Sequence, residues 1–487
     1  MHSNNKNKDD FMSQVKTIFK NMSWLLISQI IAGICGFIWT ILIARYLGVN
    51  DYGILGFAIS LTAILGITAD FGISTHIVRH IATDNDSAPK YLGNVFPLKS
   101  LFSIGTMFLT LIILIILKSN ELTIIITLLF MIEGIIKSFI SLLNGSFQAF
   151  EEGKYQGIGN SLLNLILLVF ILIAIYTDLG IYGITISYLL ANLIAIIYLY
   201  YAFNKNVTKP KFEFDKDFCK KILIYSLPFA ATSILYTIYY SIDVVMLNQL
   251  VGNYATGIYN ATYKLISILT LFYSVYSAVV YPVMSKMYKN DKKLLIITFE
   301  KSIKYLLLII VPFAIAIMIY STDIIHLIYG NEYDAASSAL SILIWTISLL
   351  FVNGVCNNLL NASYKEVTIT KIYAIAAVFN VVLNLILIPN YSYNGAATAT
   401  VLSDLLIMII QLYVIYKIGY RVNKKLYFDL IKIILGSIIL GIALHFLNLN
   451  MWVALPIGII IYFATIYILR VFDSDDQYVI KEILGKN

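Results

Sequence analysis

Charge is scarce in this sequence. Of 487 residues only 13% are charged and 60% are hydrophobic, which leaves too little polar surface for a soluble protein of that length and makes a multi-span membrane protein the expectation. Cysteine is scarcer still. Cys35, Cys219 and Cys356 lie far apart, two of them in apolar runs, so neither a disulfide framework nor a metal cluster is expected. The five histidines are read as containing no i, i+4 pair, and no metal or cofactor is assigned. Nothing matches a glycine-rich phosphate loop, which argues against an ATP-driven motor. The first 22 residues lack the early apolar core and cleavage site of a secretory signal peptide.

What is abundant is apolar sequence in long runs. A helix needs about 20 mainly apolar residues to cross ~30 Å of hydrocarbon. Fourteen such runs begin near Trp24, Ile54, Gly93, Leu122, Tyr155, Ile181, Ile222, Gly257, Ser302, Ser337, Val367, Gly395, Phe428 and Met451. Ahead of them Phe11, Val15, Ile18, Phe19 and Met22 repeat at helical spacing, which predicts an interfacial amphipathic segment over residues 1–22. Orientation follows from the basic residues. With a cytoplasmic N-terminus, 30 of the 34 lysines and arginines fall on the even-numbered junctions and the two tails, including three from Arg79 to Lys99 and six from Lys286 to Lys304. That asymmetry places both termini in the cytoplasm. The net charge of +7 is then accounted for by basic loops facing anionic membrane lipids, without nucleic acid.

The chain also repeats itself. "RYLGVNDYGILG" from Arg45 returns as "QLVGNYATGIYN" from Gln249, so that Gly48 and Gly53 correspond to Gly252 and Gly257. Asn160 and Asn164 in span 5 return as Asn380 and Asn384 in span 11, and Gly183 and Asn192 in span 6 as Gly395 and Asp404 in span 12. An offset of six spans keeps each loop on its own side of the membrane. The expected architecture is therefore all-α and polytopic, with about 14 transmembrane helices. Two six-helix lobes are related by an axis along the membrane normal, and two extra C-terminal helices follow. The predicted boundaries are 23–204 for the N-lobe, 205–221 for a cytoplasmic linker, 222–417 for the C-lobe, and 418–487 for spans 13 and 14 with a tail. Transporters built from parallel repeats bind substrate between the halves and alternate access by rocking.

"IARYLGVNDYG" followed by "DFG" at Asp70–Gly72 and Arg79 resembles the start of the Wzx-type polysaccharide, or lipid-linked oligosaccharide, flippases of the multidrug/oligosaccharidyl-lipid/polysaccharide exporter superfamily. "FQAFEEGKY", "SLPF" at Ser226–Phe229, Asp243 in "SIDVVML", "GIYNATYKL" at Gly257–Leu265, Pro282 and "YGNEYDAA" at Tyr329–Ala336 extend the likeness over spans 1 to 12. The resemblance implies a V-shaped pair of lobes around a central cavity. It also implies a glycan carried on polyprenyl (pyro)phosphate, with the head group crossing inside and the lipid tail left in the bilayer. Through bare hydrocarbon such a head group would cost many kcal/mol, since each unpaired polar group is expensive there. The alternative within the superfamily is a cation-coupled multidrug exporter or a lipid II flippase. A glycan polymerase or ligase is disfavoured, because the longest internal polar links, Lys205–Lys221 and Lys286–Lys301, carry no catalytic constellation. The chain is read as a non-enzyme of a prokaryotic plasma membrane, with glycan-assembly enzymes as possible partners.

Ionisable residues within spans are rare and face a cavity or one another. Here they are Asp70, Glu133, Lys137, Asp243, Lys264 and Asp404, with Arg45 and Arg79 near span ends. Glu133 and Lys137 stand in the favourable order for an intrahelical pair. Ser141, Asn144 and Gln148 continue their face, which calls for a wet interior. Lys264, on a face with Asn260, Ser267 and Ser274, is a candidate phosphate contact, or else the partner of Asp243. Tyr236 and Tyr240 share a side of span 7 with Asp243 and could stack on sugars, though tyrosine is also enriched at membrane interfaces. Arg45 is either an interfacial anchor or a cation at the outer mouth. Asp70 is expected to cap a helix break at "DFG", with Arg79 at the far end of a water-exposed segment of span 2. Asp404 is a candidate for proton or sodium coupling.

Overall fold

The computed structural model describes residues 2–211, 213–447, 449–472 and 476; the side chains of residues 2–19 and of Leu271 lie outside the description. In hydrocarbon no water is present to satisfy backbone N–H and C=O groups, so a spanning segment has to bond within itself. Accordingly the apolar runs are all helix, and there is no strand among the described residues. The helices are α1 (His2–Asp70), α2 (Ile73–Ile81), α3 (Ala88–Ile116), α4 (Glu121–Ala149), α5 (Gly153–Tyr176), α6 (Gly180–Asn206), α7 (Lys216–Leu250), α8 (Asn253–Asn290), α9 (Lys292–Ile319), α10 (Ser321–Tyr329), α11 (Ala336–Ala362), α12 (Glu366–Lys417), α13 (Lys424–Leu447) and α14 (Met451–Ile468).

Twelve helical stretches are long and apolar enough to cross a membrane, and two of them, Lys20–Asp70 and Glu366–Lys417, have 51 and 52 residues. At about 1.5 Å per residue each runs over ~75 Å, more than twice the hydrocarbon thickness. The backbone leaves helical geometry at Gly48 (φ 69°, ψ 175°) and at Ser392 (φ 52°, ψ −134°). Each of these two helices therefore holds two spans, and the described residues contain fourteen. The backbone is helical from His2 into span 1; the apolar face expected of Phe11, Val15, Ile18 and Phe19 lies outside the described residues.

By packing, the chain divides into unit 1, Met1–Gly257, and unit 2, Ile258–Asn487. In unit 1 the core is built on Ile77, Leu92, Leu143, Phe147, Leu199 and Phe203, with a second cluster around Phe57, Leu61, Leu114 and Met131. Buried hydroxyls are satisfied locally. Thr106, Thr110, Thr127, Ser146 and Ser187 each donate to the carbonyl four residues earlier, which is how a helix carries them without a partner helix.

The segment after α6 is strapped to α3. Lys211 N–H donates to the Pro89 carbonyl at 3.1 Å and Asp215 N–H to Asn94 Oδ1 at 2.7 Å. A Cβ on Gly93 would lie 1.6 Å from the Lys211 carbonyl oxygen. The chain that joins the sequence repeats is thus part of unit 1, and α7 goes with it: a Cβ on Gly72 would fall 2.5 Å from Ala230 N.

The twice-written turn has a packing reason. Gly48 and Gly252 both take positive φ, 69° and 115°, which glycine adopts without steric cost. Gly53 and Gly257 are helical and serve close approach. A Cβ on Gly53 would lie 2.0 Å from the Asn253 carbonyl oxygen, and a Cβ on Gly257 2.0 Å from that of Val49. Each glycine rests on the carbonyl four residues before the other, the reciprocity of a local two-fold between the two helix starts.

In unit 2 the core is built on Phe299, Val355, Leu359, Leu360 and Ile415. Helices α13 and α14 pack on α9: Gly441 would bring a Cβ to 2.9 Å from Ile315 Cγ2, and Tyr462 donates to the Leu308 carbonyl at 2.7 Å. Below that contact Lys304, buried, binds Asp429 at 2.8 Å and Asp476 at 2.6 Å. Its ammonium also donates to the Val471 carbonyl at 2.7 Å. Lys301 pairs with the same Asp476, and Tyr305 donates to it at 2.5 Å. The orientation argument counted Lys99 and Lys304 as loop cations. Both are instead fully buried side chains, each held by a carboxylate on another segment, which offsets the cost of taking a charge out of water.

Candidate functional site

The face of α4 carrying Glu133, Lys137, Ser141, Asn144 and Gln148 opens on a cavity of about 470 Å³ inside unit 1, lined among others by Lys137, Ser141, Asn144 and Gln148. The polar stripe therefore reaches a cavity, as the helical spacing predicts. The facing wall is Ser74, Thr75 and Val78 of α2, with Gln156 of α5. Small size at Gly145 lets the two walls close up, since a Cβ there would stand 2.3 Å from Val78 Cγ2.

Charges in this region are paired. Lys137 Nζ is 2.6 Å from Glu133 Oε1, the lysine 54% exposed and the carboxylate 6%. Glu133 Oε1 also accepts from Asn192 Nδ2 at 3.0 Å, tying α4 to α6. Lower on α4, Asn144 Nδ2 donates to Asn160 Oδ1 at 3.0 Å, tying it to α5. Unit 2 carries an echo of the upper tie: Asn353 Nδ2 of α11 donates to the Asp404 backbone carbonyl of α12 at 3.0 Å. There the acid and the amide have exchanged helices. The repeated asparagines are hydrogen bonded in both copies, Asn164 Nδ2 to the Asn160 carbonyl at 2.6 Å and Asn384 Nδ2 to Asn380 Oδ1 at 3.0 Å.

The wall formed by α2 depends on the break before it. Phe71 and Gly72 have φ of 50° and 71°, ending α1 and re-aiming the chain. Asp70 was expected to cap this break, but α2 has no side-chain cap. Asp70 instead accepts from the Ser74 hydroxyl and pairs with Lys99 Nζ at 2.5 Å. Lys99 donates further to Ser74 Oγ at 2.9 Å and to the Ser138 carbonyl at 2.8 Å. A buried ammonium thus joins α1, α2, α3 and α4 beside the cavity. The segment between Asp70 and Arg79 is likewise not simply water-exposed, since Ile73, Ser74, His76, Ile77 and Ile81 are buried.

His76 and His80 form an i, i+4 pair after all, with ring centroids 4.6 Å apart. His76 stacks on Tyr225 at 5.8 Å and His80 on Tyr91 at 5.7 Å. The rings act as aromatic packing between α2, α3 and α7. Among the described residues no group of three or more histidine, cysteine or carboxylate side chains is placed to hold a metal.

The remaining sequence candidates are dispersed. Arg45 is exposed at the end of span 1, and Arg79 is exposed in the last turn of α2. Tyr236 and Tyr240 of α7 have ring centroids 4.6 Å apart, with Asp243 buried beyond them. In unit 2, Lys264 is half-buried on α8, Asn260 is buried with its Nδ2 unsatisfied, and Asp404 is buried on α12. Of the twelve candidates, Lys137 and Gln148 line the cavity. The polar residues missed from sequence are Ser74, Thr75 and Gln156 on the cavity wall and Lys99, which bonds to Ser74 beside it. Lys99 heads a polar face with Ser103, Thr106 and Thr110, a signal available in the sequence.

Comparison with known proteins agrees with this architecture. The polysaccharide biosynthesis protein family profile matches residues 18–288, more than half of the chain, and the MatE profile matches 228–386. The chain is 26% identical to the capsular polysaccharide biosynthesis protein CapF of Staphylococcus aureus, over 82% of this chain and 99% of that one. It is 23% identical to a protein of Haloferax volcanii described as a probable low-salt glycan biosynthesis flippase, Agl15, over 78% and 79% of the two chains. Among solved structures, the lipid II flippase MurJ in an inward closed conformation superposes with a TM-score of 0.78 at 17% identity, over 92% of this chain and 98% of that one. At that identity the likeness speaks for the fold. Fourteen spans and a profile match over more than half its length together show that this chain belongs to the polysaccharide biosynthesis protein family, within the multidrug/oligosaccharidyl-lipid/polysaccharide exporter superfamily.

Proposed function

We propose that the protein is a flippase that carries a polyprenyl-(pyro)phosphate-linked oligosaccharide across a prokaryotic plasma membrane by alternating access, for cell-surface polysaccharide or glycan assembly, with both termini cytoplasmic. The observation that carries the reading is the cavity on α4, with the polar side chains Lys137, Ser141, Asn144 and Gln148 along one wall. Polar and ionisable side chains within spans face a cavity or one another, and here Lys137, Ser141, Asn144, Gln148 and Gln156 gather around one cavity. The names of the relatives CapF and Agl15 point to glycans as the cargo.

In this reading Lys137 and Gln148 meet the head group within unit 1. Lys264, Asn260, Arg45 and Arg79 contribute contacts to phosphate or sugar elsewhere on the path, and Tyr236 and Tyr240 offer stacking faces. Glu133, Asp70, Asp243 and Asp404 balance or couple charge. Glycan-assembly enzymes supply the substrate and consume the product. The test is reconstitution into liposomes holding a polyprenyl-pyrophosphate-linked oligosaccharide labelled on the sugar, followed by chemical quenching of the label on the outer leaflet. Protein-dependent loss of the protected half is the expected result. Flipping of lipid II alone, or export of cationic dyes with no movement of the lipid-linked glycan, would replace this reading with the corresponding alternative.

A further inference from the structure

We infer that the foot of α9 carries a binding site for a phosphate group, and that the chain's own Asp476 carboxylate fills this site in the present structure. The site lies within unit 2, on residues outside the proposed path, and stands whatever the cargo is.

Three donors converge there. Lys301, Lys304 and Tyr305 are spaced i, i+3 and i+4 on α9, which sets them on one face of the helix. All three bind one carboxylate. Lys301 and the Tyr305 hydroxyl, the latter at 2.5 Å, share Asp476 Oδ1, and Lys304 donates to Oδ2 at 2.6 Å. Two ammonium groups and a phenol aimed at a single anion are the chemistry that recognises phosphate. A phosphate brings three acceptor oxygens where a carboxylate has two, so Lys301 and Tyr305 would each have an oxygen of their own. Charge argues the same way: withdrawing Asp476 takes a negative charge from two ammonium groups, and an incoming anion returns it.

The occupant is also the removable part. Asp476 arrives on the segment after α14, which ends at Ile468, so its carboxylate can leave without moving a span. The donors stay where they are. Lys304 keeps Asp429 of α13 at 2.8 Å, and α9 is tied to the start of α13 by the Asn423 N–H, which donates to Glu300 Oε1 at 2.5 Å. The approach is basic, with Lys292, Lys293, Arg421, Lys424 and Arg470 exposed at this end of α9, α13 and α14, an arrangement that draws anions at a membrane surface. Tyr427, Phe428 and Tyr467 are exposed beside them, rings that mark the headgroup level of a bilayer. A lipid headgroup and a free phosphate both offer the required oxygens.

The test uses the full chain in phosphatidylcholine nanodiscs. Thermal unfolding of the parent, Asp476→Ala and Asp476→Asn is followed at matched ionic strength in chloride, with inorganic phosphate, and with phosphatidic acid added to the bilayer. Both variants are expected to melt below the parent in chloride and to regain several degrees with phosphate, because a ligand that binds only the folded chain raises Tm. Adding Lys301→Ala to either variant should abolish the gain. Recovery with inorganic phosphate makes free phosphate a sufficient ligand, and recovery with phosphatidic acid alone makes the ligand a lipid headgroup. No recovery with either, or equal recovery with Lys301→Ala present, overturns the site. If neither variant folds, the parent decides: phosphate or phosphatidic acid should speed trypsin cleavage after Arg470 several-fold by displacing the tail, and an unchanged rate overturns the site.

Discussion

Replacing Gly53 with alanine tests the reciprocal turn. The added Cβ would stand 2.0 Å from the Asn253 carbonyl oxygen, whereas a carbon–oxygen contact settles near 3.3 Å or more. About 1.3 Å has to be found. It must come from backbone, because the offending atoms are the carbonyl of Asn253 and the nitrogen of Gly257, which cannot rotate aside as a side chain would. Overpacking of this kind costs roughly 1–3 kcal/mol, and the lack of a flexible neighbour puts Gly53→Ala at the upper end, about 3 kcal/mol. For unit 1, with 257 residues, 1 kcal/mol moves Tm by about 2–4 °C, so a fall of roughly 6–12 °C is expected. Thermal unfolding in detergent at one fixed scan rate measures it. Gly66→Ala is the control: nothing lies within 4 Å of its would-be Cβ, and a helical glycine replaced by alanine gains about 0.5–1 kcal/mol. The Gly53→Ala/Gly257→Ala double variant should lose less than the sum, since both methyl groups force apart the same two turns. If Gly53→Ala melts with or above Gly66→Ala, the close contact is not there and the account of the repeated motif fails.

Lys99→Met leaves the Asp70 carboxylate without its cation. With Asp70 26% exposed, the low end of the roughly 3–5 kcal/mol for breaking a buried pair applies, and Asp70→Asn added to Lys99→Met should restore most of the lost Tm; no recovery would mean the pair is not what holds the break. Glu133→Gln keeps an acceptor for Asn192 but removes the countercharge of Lys137. Insertion and Tm should stay near those of the parent while the flipping rate in liposomes falls, and an unchanged rate would remove the pair from the path. Lys264→Ala should impair transport without loss of membrane insertion, and parental activity in that variant would take Lys264 out of the site.

The span count was readable in the sequence because runs of isoleucine and leucine leave no other structure in hydrocarbon. The span starts fall close to the helix starts, Leu122 against Glu121 and Ile181 against Gly180. The cavity was partly readable for a related reason. Polar side chains from Glu133 to Gln148 recur every three or four residues, and a helix turns that spacing into one face. The ionic pairs between helices were not readable. Asp70 and Lys99 are 29 residues apart, and Lys304 and Asp476 are 172 apart. Lysine near a span end looks the same in sequence whether it reaches water or a buried carboxylate. The i, i+4 spacing of His76 and His80, in contrast, was plain in the sequence, and what the structure adds is that the rings pack against Tyr225 and Tyr91.

The lysine cluster at the foot of α9 bears on how this protein can be trimmed. Ending the chain at Leu469, just past the final apolar stretch, would keep every crossing yet take away Asp476 and the Val471 carbonyl. One ammonium would then have only Asp429 to answer it among aliphatic neighbours. Val471 and Asp476 are in this sense the stopper of that buried ammonium, and a shortened version should be recovered in poor yield even though no membrane-crossing helix has been removed.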